Sequence, residues 1–331
     1  MRWLLVLGLE LDDGFGVDFR DELAAMGHDV RVFPYRRRNV LYKNKSTKAA
    51  YQLWILRRLE RVCAAWRPHV VLVLKGGPVT PGLVRRVKAR TDALFVNVFP
   101  DNPLWMMPFE HIETYDIFLT KERYAMRQLE LAGLRNLYYL PLYCVPAMHH
   151  PVELTARERE SLEGIIALVG RPYPYRERMV RELSSYPLRI WGPGWDRASD
   201  PTLRRLVAGT GVSGRQKLAI YTGARLSLNP HHPMNDIVGL NNRTFELAAS
   251  GACQVVDLKD DLPAIFKPGE EVVAFQDLGD LRRQLDYYLA HPDEARAIGE
   301  NARRRALAEH TLRHRLEEML SVIEARFGKR T

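Results

Sequence analysis

Short apolar runs alternate with amphipathic segments along the first part of the chain. A short apolar run bounded by turn residues is typical of a buried strand, and apolar residues three or four apart indicate a helix. The predicted strands are 3–9, 30–34, 69–74, 94–99, 117–120 and 136–140. The predicted helices are 18–26, 51–66, 81–90 and 122–132. The polar stretch 36–48 is predicted to be a mobile loop. Strands alternating with helices favour a parallel sheet covered on both faces.

The same alternation begins again after a proline-rich stretch. Pro141, Pro146 and Pro151 interrupt regular structure, so 141–154 is the predicted linker. The later predicted strands are 164–169, 188–191, 224–229, 253–256 and 272–275. The later predicted helices are 175–184, 215–221, 281–289, 292–308 and 312–327. The pattern therefore predicts an α/β fold with two Rossmann-like parallel-sheet domains facing a cleft, one at 1–145 and one at 146–310.

Composition agrees with an ordinary protein of two domains. The chain has 331 residues, and a domain typically takes about 150. Its three cysteines, Cys63, Cys144 and Cys253, fit neither a disulfide framework nor a zinc pattern. Acidic residues follow the first apolar run from Glu10 onward, so no signal peptide is expected. A reducing cytoplasmic location is the expectation.

The most informative stretch is 241–257, which predicts a helix that leads into a strand. Asn241 or Asn242 can cap the helix, and Gly251 can end it. Arg243 lies in the first turn, where the helix dipole disfavours a cation. A bound anion such as a phosphate would explain this placement. Glu246 follows one turn later, at a spacing that could put both side chains on the same side.

This stretch resembles the nucleotide-sugar site of glycosyltransferases with the GT-B fold. The run Asn-x-Arg-x-Phe-Glu at 241–246, followed by small residues and Gly251, is similar to the spore-maturation CgeB-like glycosyltransferases. The resemblance implies transfer of a sugar from a nucleotide-diphosphate sugar to a hydroxyl, without a metal cofactor. It also implies that Glu246 binds the ribose hydroxyls, and that the last helix, 311–331, packs back on the N-terminal domain. A salt bridge at a helix terminus is the alternative role for Glu246.

Other candidate donor contacts lie in loops after strands of the second domain. Arg171 follows a strand in a Gly-Arg pair that the CgeB-like pattern also carries, although a solvated surface arginine is equally ordinary. Trp195 could form a wall for the base, whereas Trp191 is expected in the core. His231 could contact the sugar or phosphate, or belong to a polar loop. The predicted donor-binding residues are Gly170, Arg171, Trp195, His231, Asn241, Asn242, Arg243 and Glu246.

Two aspartates of the first domain are candidate general bases. An inverting transfer needs a group that takes the proton of the acceptor hydroxyl. Asp101 follows a strand in an Asp-Asn-Pro turn that is similar to an Asp-x-Pro of the CgeB-like family, and Asp13 is the second candidate. Asp101 could equally cap its turn. Many retaining GT-B enzymes carry a further acid eight residues before the ribose glutamate, and that position is Val238 here, so the stereochemistry stays open.

The net charge of +9 is concentrated in one segment. No acid lies between Asp29 and Glu60, where nine lysines and arginines occur. Arg36, Arg37 and Arg38 are the predicted acceptor contacts, because a basic loop implies an acidic protein, polysaccharide, lipid or nucleic acid as acceptor. A peripheral membrane contact is included in this expectation. A charged surface that only faces water is the alternative.

Two other functions compete with sugar transfer. The first is a GT-B remnant that binds a nucleotide or an acidic polymer without turnover, and the missing acid at Val238 keeps it open. The second is a nucleic-acid-binding protein that uses the basic segment 31–58, whose affinity would fall steeply with salt.

Overall fold

The computed structural model describes residues 1–8, 16–35, 45–76 and 79–328, without the side chains of 45, 46, 48 and 49. The chain divides into two compact units. The first unit comprises Met1–Pro141 together with Leu312–Thr331, and the second comprises Leu142–Thr311. Each unit is built around its own parallel sheet, so the predicted α/β class with two parallel sheets is confirmed.

The first unit holds a six-stranded sheet in the order β2-β1-β3-β4-β5-β6 within the described residues. Its strands are β1 (Arg2–Leu7), β2 (Asp29–Pro34), β3 (Val70–Leu74), β4 (Leu94–Phe99), β5 (Ile117–Thr120) and β6 (Leu137–Tyr139). Its helices include α1 (Val17–Ala25), α2 (Lys45–Trp66), α3 (Pro81–Lys88), α4 (Pro103–Met106), α5 (Phe109–Thr114) and α6 (Arg123–Leu131). All residues of β3 and β4 are buried, which explains their continuous hydrophobic composition.

Helix α2 corrects one expectation about the basic segment. It begins at Lys45, so the predicted loop does not extend to residue 48. Its core-facing residues are Tyr51, Ile55, Leu59 and Cys63, which recur every four residues and so share one face. Trp54 lies outside this buried row and is 50% exposed.

The second unit holds a six-stranded sheet in the order β12-β11-β10-β7-β8-β9 within the described residues. Its strands are β7 (Ile166–Val169), β8 (Leu188–Trp191), β9 (Val207–Gly209), β10 (Leu226–Asn229), β11 (Gln254–Asp257) and β12 (Val273–Phe275). Its helices include α7 (Ala156–Leu162), α8 (Pro174–Glu182), α9 (Pro201–Arg205), α10 (Gly214–Gly223), α11 (Asn242–Ala249), α12 (Leu262–Ile265), α13 (Leu278–Ala290) and α14 (Pro292–Glu309). The strand order reverses between β7 and β10, the position at which open α/β sheets bind ligands.

The last helix, α15 (Leu312–Phe327), returns the chain to the first unit. Arg313 donates to Glu22 of α1 over 2.8 Å, and the Nε of Arg315 donates to the carbonyl of Pro141 over 3.0 Å. Leu316, Met319 and other apolar residues of its inner face are buried. The first unit is therefore assembled from both ends of the chain.

A close approach of two backbone segments fixes the turn after β7. A Cβ at Gly192 would lie 2.1 Å from the carbonyl oxygen of Gly170. We expect Gly192→Ala to lower the free energy of unfolding by about 3 kcal/mol, because backbone rather than a flexible side chain must move. Urea denaturation measures this, and Gly211→Ala is the control, since a Cβ there meets nothing within 4 Å. Equal stability of both variants would contradict the prediction.

Candidate functional site

Glu246 lies on α11 with both carboxylate oxygens engaged. Its Oε1 accepts a hydrogen bond from the Nδ2 of Asn242 over 2.8 Å, and its Oε2 accepts one from the Nζ of Lys217 over 3.1 Å. The side chain is 17% exposed. Burial alone would raise the pKa of Glu246, but the charges of Lys217, His149 and Arg243 outweigh it and lower the pKa. The carboxylate is therefore ionised at neutral pH and held in one orientation.

Asn241 begins this helix as predicted for a cap. Its side-chain oxygen accepts a hydrogen bond from the backbone N–H of Thr244 over 3.0 Å. Its Nδ2 donates to the Oδ1 of Asn229, at the end of β10, over 3.1 Å. Both polar atoms of Asn241 are thus used to fix α11 against the sheet. Asn242 instead donates to Glu246, and its Oδ1 is buried without a partner in the described part of the chain.

Two guanidinium groups meet at the turn after β7. A Cβ at Gly170 would lie 3.4 Å from both Nη atoms of Arg243 and 3.0 Å from one Nη of Arg176. The Nε atoms of both arginines are buried and have no hydrogen-bond partner among the described residues. Burial, assisted by the charge of Arg243, lowers the pKa of Arg176. The absence of a side chain at Gly170 leaves the two cations side by side.

Arg176 is held by backbone carbonyls of two loops, the turn after β7 and the loop after β10. One Nη donates to the carbonyl of Arg171 over 2.8 Å, and the other donates to the carbonyl of Pro230 over 2.7 Å. Arg176 is 4% exposed, whereas the side chain of Arg171 is exposed. The contacts therefore bring Gly170, Arg176 and Arg243 together. They do not bring the side chain of Arg171 into this group.

The structure corrects the role predicted for Trp195. Its side chain is completely buried in the core of the second unit, and its Nε1 donates to the carbonyl of Gly170 over 2.7 Å. The ring therefore offers no face to a nucleobase. The indole instead stabilises the Gly170 turn through this hydrogen bond, because a buried indole N–H needs an acceptor.

His231 is also corrected, from a ligand contact to a structural residue. It is 1% exposed, and its Nδ1 lies 2.8 Å from the Oδ1 of Asp257 at the end of β11. Burial alone would raise the pKa of Asp257, but the hydrogen bonds and charge of His231, with the charge of Lys259, lower it to about 2. The pair ties the loop after β10 to the neighbouring strand.

Asp101 of the first unit lies at the carboxyl end of β4 and forms an ion pair with Lys75. The Nζ of Lys75 donates to the Oδ2 of Asp101. Lys75 follows β3 and has a φ of 65°, a left-handed conformation that residues other than glycine rarely adopt. The predicted residues Asp13, Arg36, Arg37 and Arg38 lie outside the described residues.

Two cations of the site, Lys217 and Arg176, were not predicted from the sequence. Lys217 is 29 positions before Glu246, so no local motif connects them. Arg176 carried a weak signal, because it lies in the first turn of the helix that follows the Gly-Arg pair. Across residues 1–8, 16–35, 45–76 and 79–328, no group of three or more His, Cys, Asp or Glu residues could hold a metal ion. No helix in the same ranges is long and apolar enough to cross a bilayer.

Residues 171–321 match the family described as Glycosyl transferase-like. The chain is 26% identical over 247 residues to the spore protein CgeB of Bacillus subtilis (strain 168), which covers 70% of this chain and 75% of CgeB. It also superimposes on solved structures along nearly its whole length. Sucrose-phosphate synthase of Thermosynechococcus elongatus matches with a TM-score of 0.73 and 14% identity, covering 99% of each chain.

A second solved structure contains UDP-glucose. Anabaena HepE in complex with UDP-glucose matches with a TM-score of 0.68 and 10% identity, covering 98% of this chain and 100% of HepE. The likeness to both structures shows the GT-B fold, and the family match lies on the half that carries Arg176, Arg243 and Glu246. The chain therefore has the GT-B fold, and the match of residues 171–321 to the glycosyl transferase-like family supports a glycosyltransferase enzyme.

Proposed function

We propose that the second unit binds a nucleotide-diphosphate sugar and that the enzyme transfers the sugar to an acceptor hydroxyl. The observation that supports this most is the pair of guanidinium groups at Gly170. Neither Arg176 nor Arg243 forms an ion pair with a carboxylate in the described part of the chain. Two neighbouring cations that form no ion pair with a described carboxylate are a favourable site for a diphosphate, since arginine binds phosphate oxygens through charge-assisted hydrogen bonds.

Arg243 is the group that reaches the diphosphate in this proposal. Arg176 uses two of its nitrogens on backbone carbonyls, so it supplies positive charge and fixes the turn. Arg243 has no such contact with the described backbone, and it lies at the N-terminus of α11, where the helix dipole also favours an anion. The arginines thereby supply the charge that a metal ion would otherwise provide, and no metal cofactor is proposed.

Glu246 binds the ribose in the same proposal. An ionised carboxylate offers about four lone-pair positions, of which Lys217 and Asn242 use two. The remaining positions can accept hydrogen bonds from the two ribose hydroxyls. Lys217 and Asn242 fix the orientation of the carboxylate, so little side-chain entropy is lost when the nucleotide binds.

Asp101 is the proposed general base. It would take the proton of the acceptor hydroxyl as that oxygen attacks the anomeric carbon, while the bond to the diphosphate breaks and the diphosphate leaves with the electron pair. This is an inverting transfer. Asp13 is the second candidate, and the acidic acceptor predicted from Arg36, Arg37 and Arg38 stays a prediction.

The proposal is tested by thermal denaturation with nucleotide diphosphates, of which UDP comes first because HepE was solved with UDP and UDP-glucose. A ligand that binds only the folded state raises the melting temperature. We expect UDP to stabilise the wild type and Glu246→Ala to weaken its binding by about 10- to 100-fold, through loss of hydrogen bonds to a charged group. Glu160→Ala, at an exposed glutamate, is the control.

Two outcomes would count against this proposal. If no nucleotide diphosphate stabilises the wild type, the donor site is refuted. If a nucleotide binds and its sugar derivative is never cleaved or transferred, a binding protein without turnover replaces the enzyme. Position 238 is a valine, where many retaining GT-B enzymes have an acid. This observation favours the binding protein without turnover as the second candidate function.

A further inference from the structure

Helix α2 carries an outward face that combines large apolar and basic side chains. Leu53 is 62% exposed and Trp54 is 50% exposed. Arg57, Arg58 and Arg61 are exposed on the following turns of the same face, since positions three, four, seven and eight apart share one side of a helix. The 22 residues of α2 span about 33 Å.

The positive charge of this face is not neutralised by the described residues. None of the three arginines forms an ion pair there, and Arg58 instead lies 5.8 Å from the ring centroid of Trp54. Glu60 is the one acid among the helix residues 45–66, and it lies seven positions after Leu53, on the same side of the helix. Two arginines of the neighbouring segment already neutralise it. The Glu60 side chain is 17% exposed and is bound by Arg86 and Arg90.

We infer that this face of α2 binds the surface of an anionic phospholipid bilayer, with the helix axis along the surface. The inference goes beyond the proposed function and does not depend on it. A helix with tryptophan and leucine beside arginines lies at the boundary of headgroups and acyl chains, where the apolar side chains are buried and the cations contact phosphates. The charge distribution of the sequence also favours an anionic surface, because seven further lysines and arginines precede this face from Arg31 to Lys48 without an acid.

A bilayer explains the face better than a nucleic acid does. A bilayer and a nucleic acid both attract arginine. Tryptophan is also compatible with both, since it lies at the interface of a bilayer and stacks on the bases of a nucleic acid. Exposed leucine distinguishes them, because an aliphatic side chain gains free energy by burial among acyl chains and cannot stack on a base. Leu53 is the more exposed of the two apolar residues.

Flotation with lipid vesicles tests the inference on the full chain. The protein is expected to float with vesicles of phosphatidylcholine containing phosphatidylglycerol, and not with phosphatidylcholine alone. Arg57→Gln/Arg58→Gln/Arg61→Gln is expected to weaken binding by at least about tenfold, since each basic residue near an anionic surface contributes to binding. Leu53→Ser/Trp54→Ser is expected to weaken it at constant charge.

Matched controls distinguish an effect of this face from a general effect of net charge and from misfolding. Arg127→Gln/Arg197→Gln/Arg296→Gln removes the same charge from exposed sites elsewhere, and Leu131→Ser removes a leucine that is 75% exposed on α6. These variants are expected to float like the wild type, and all variants should melt at the wild-type temperature. Absent flotation, or equal losses in the control variants, would overturn the inference. Binding to a single-stranded oligonucleotide without binding to vesicles would also overturn it.

Discussion

Asp101→Asn is expected to lower kcat by about 10²- to 10⁴-fold, which is the typical contribution of a general base. The substitution keeps the shape of the side chain and removes its ability to take a proton. Asp101 and Lys75 are 23% and 44% exposed, so losing their ion pair should change stability by less than about 1 kcal/mol. The measurement is the steady-state rate of sugar transfer, together with the anomeric configuration of the product by NMR.

The donor site gives an internal control for this variant. Asp101 belongs to the first unit and Arg243 and Glu246 to the second, so UDP should raise the melting temperature of Asp101→Asn as much as that of the wild type. Asp21→Asn, at an aspartate whose side chain is 64% exposed in the same unit, should keep full activity. A fully active Asp101→Asn, or a product with retained configuration, would show that Asp101 is not the base.

Arg243→Gln is expected to lower kcat/KM by about 10²-fold, since hydrogen bonds from a charged donor to phosphate contribute about 1.5–3 kcal/mol. The loss of affinity in Arg243→Gln should occur only with ligands that carry phosphates. We expect the affinity for UDP to fall and the affinity for uridine to stay the same, because Glu246 still binds the ribose. Isothermal titration with both ligands in the presence of EDTA measures this, since the arginines are proposed to act without a metal.

Arg189→Gln is the matched control for Arg243, because Arg189 is an exposed arginine on β8 of the same unit. It should bind UDP like the wild type. Arg176→Gln should differ from both variants by a lower melting temperature. The two Nη atoms of Arg176 donate hydrogen bonds to the carbonyls of Arg171 and Pro230, and the substitution removes these bonds. Equal losses of UDP and uridine binding in Arg243→Gln would place Arg243 away from the phosphates.

Local signals predicted the elements around the site well. Asn241 caps α11 and Gly251 follows it with a φ of 71°, as the sequence indicated. The strand bounds 94–99, 117–120 and 188–191 also agree with the structure. Caps and glycine stops act through atoms a few residues apart, so they can be read from the chain without knowledge of the tertiary fold.

Elements with little local signal were missed. No pattern predicted β9, an edge strand of three residues, or the short helices α9 and α12. The two faces of α2 could not be distinguished from the sequence for a related reason. Its apolar residues occur on both sides of the helix, so spacing alone did not show that Tyr51 and Ile55 face the core while Leu53 and Trp54 face outward.

The sequence by itself determined the α/β class, the positions of most strands and the motif that contains Arg243 and Glu246. Only the tertiary structure decided which side chains are available to a ligand. It buried Trp195 and His231, and it joined Glu246 to Lys217 and Asp101 to Lys75, pairs that are 29 and 26 positions apart. Strand and helix patterns depend on neighbouring residues, whereas burial and ion pairing depend on which distant segments the sheet order brings together.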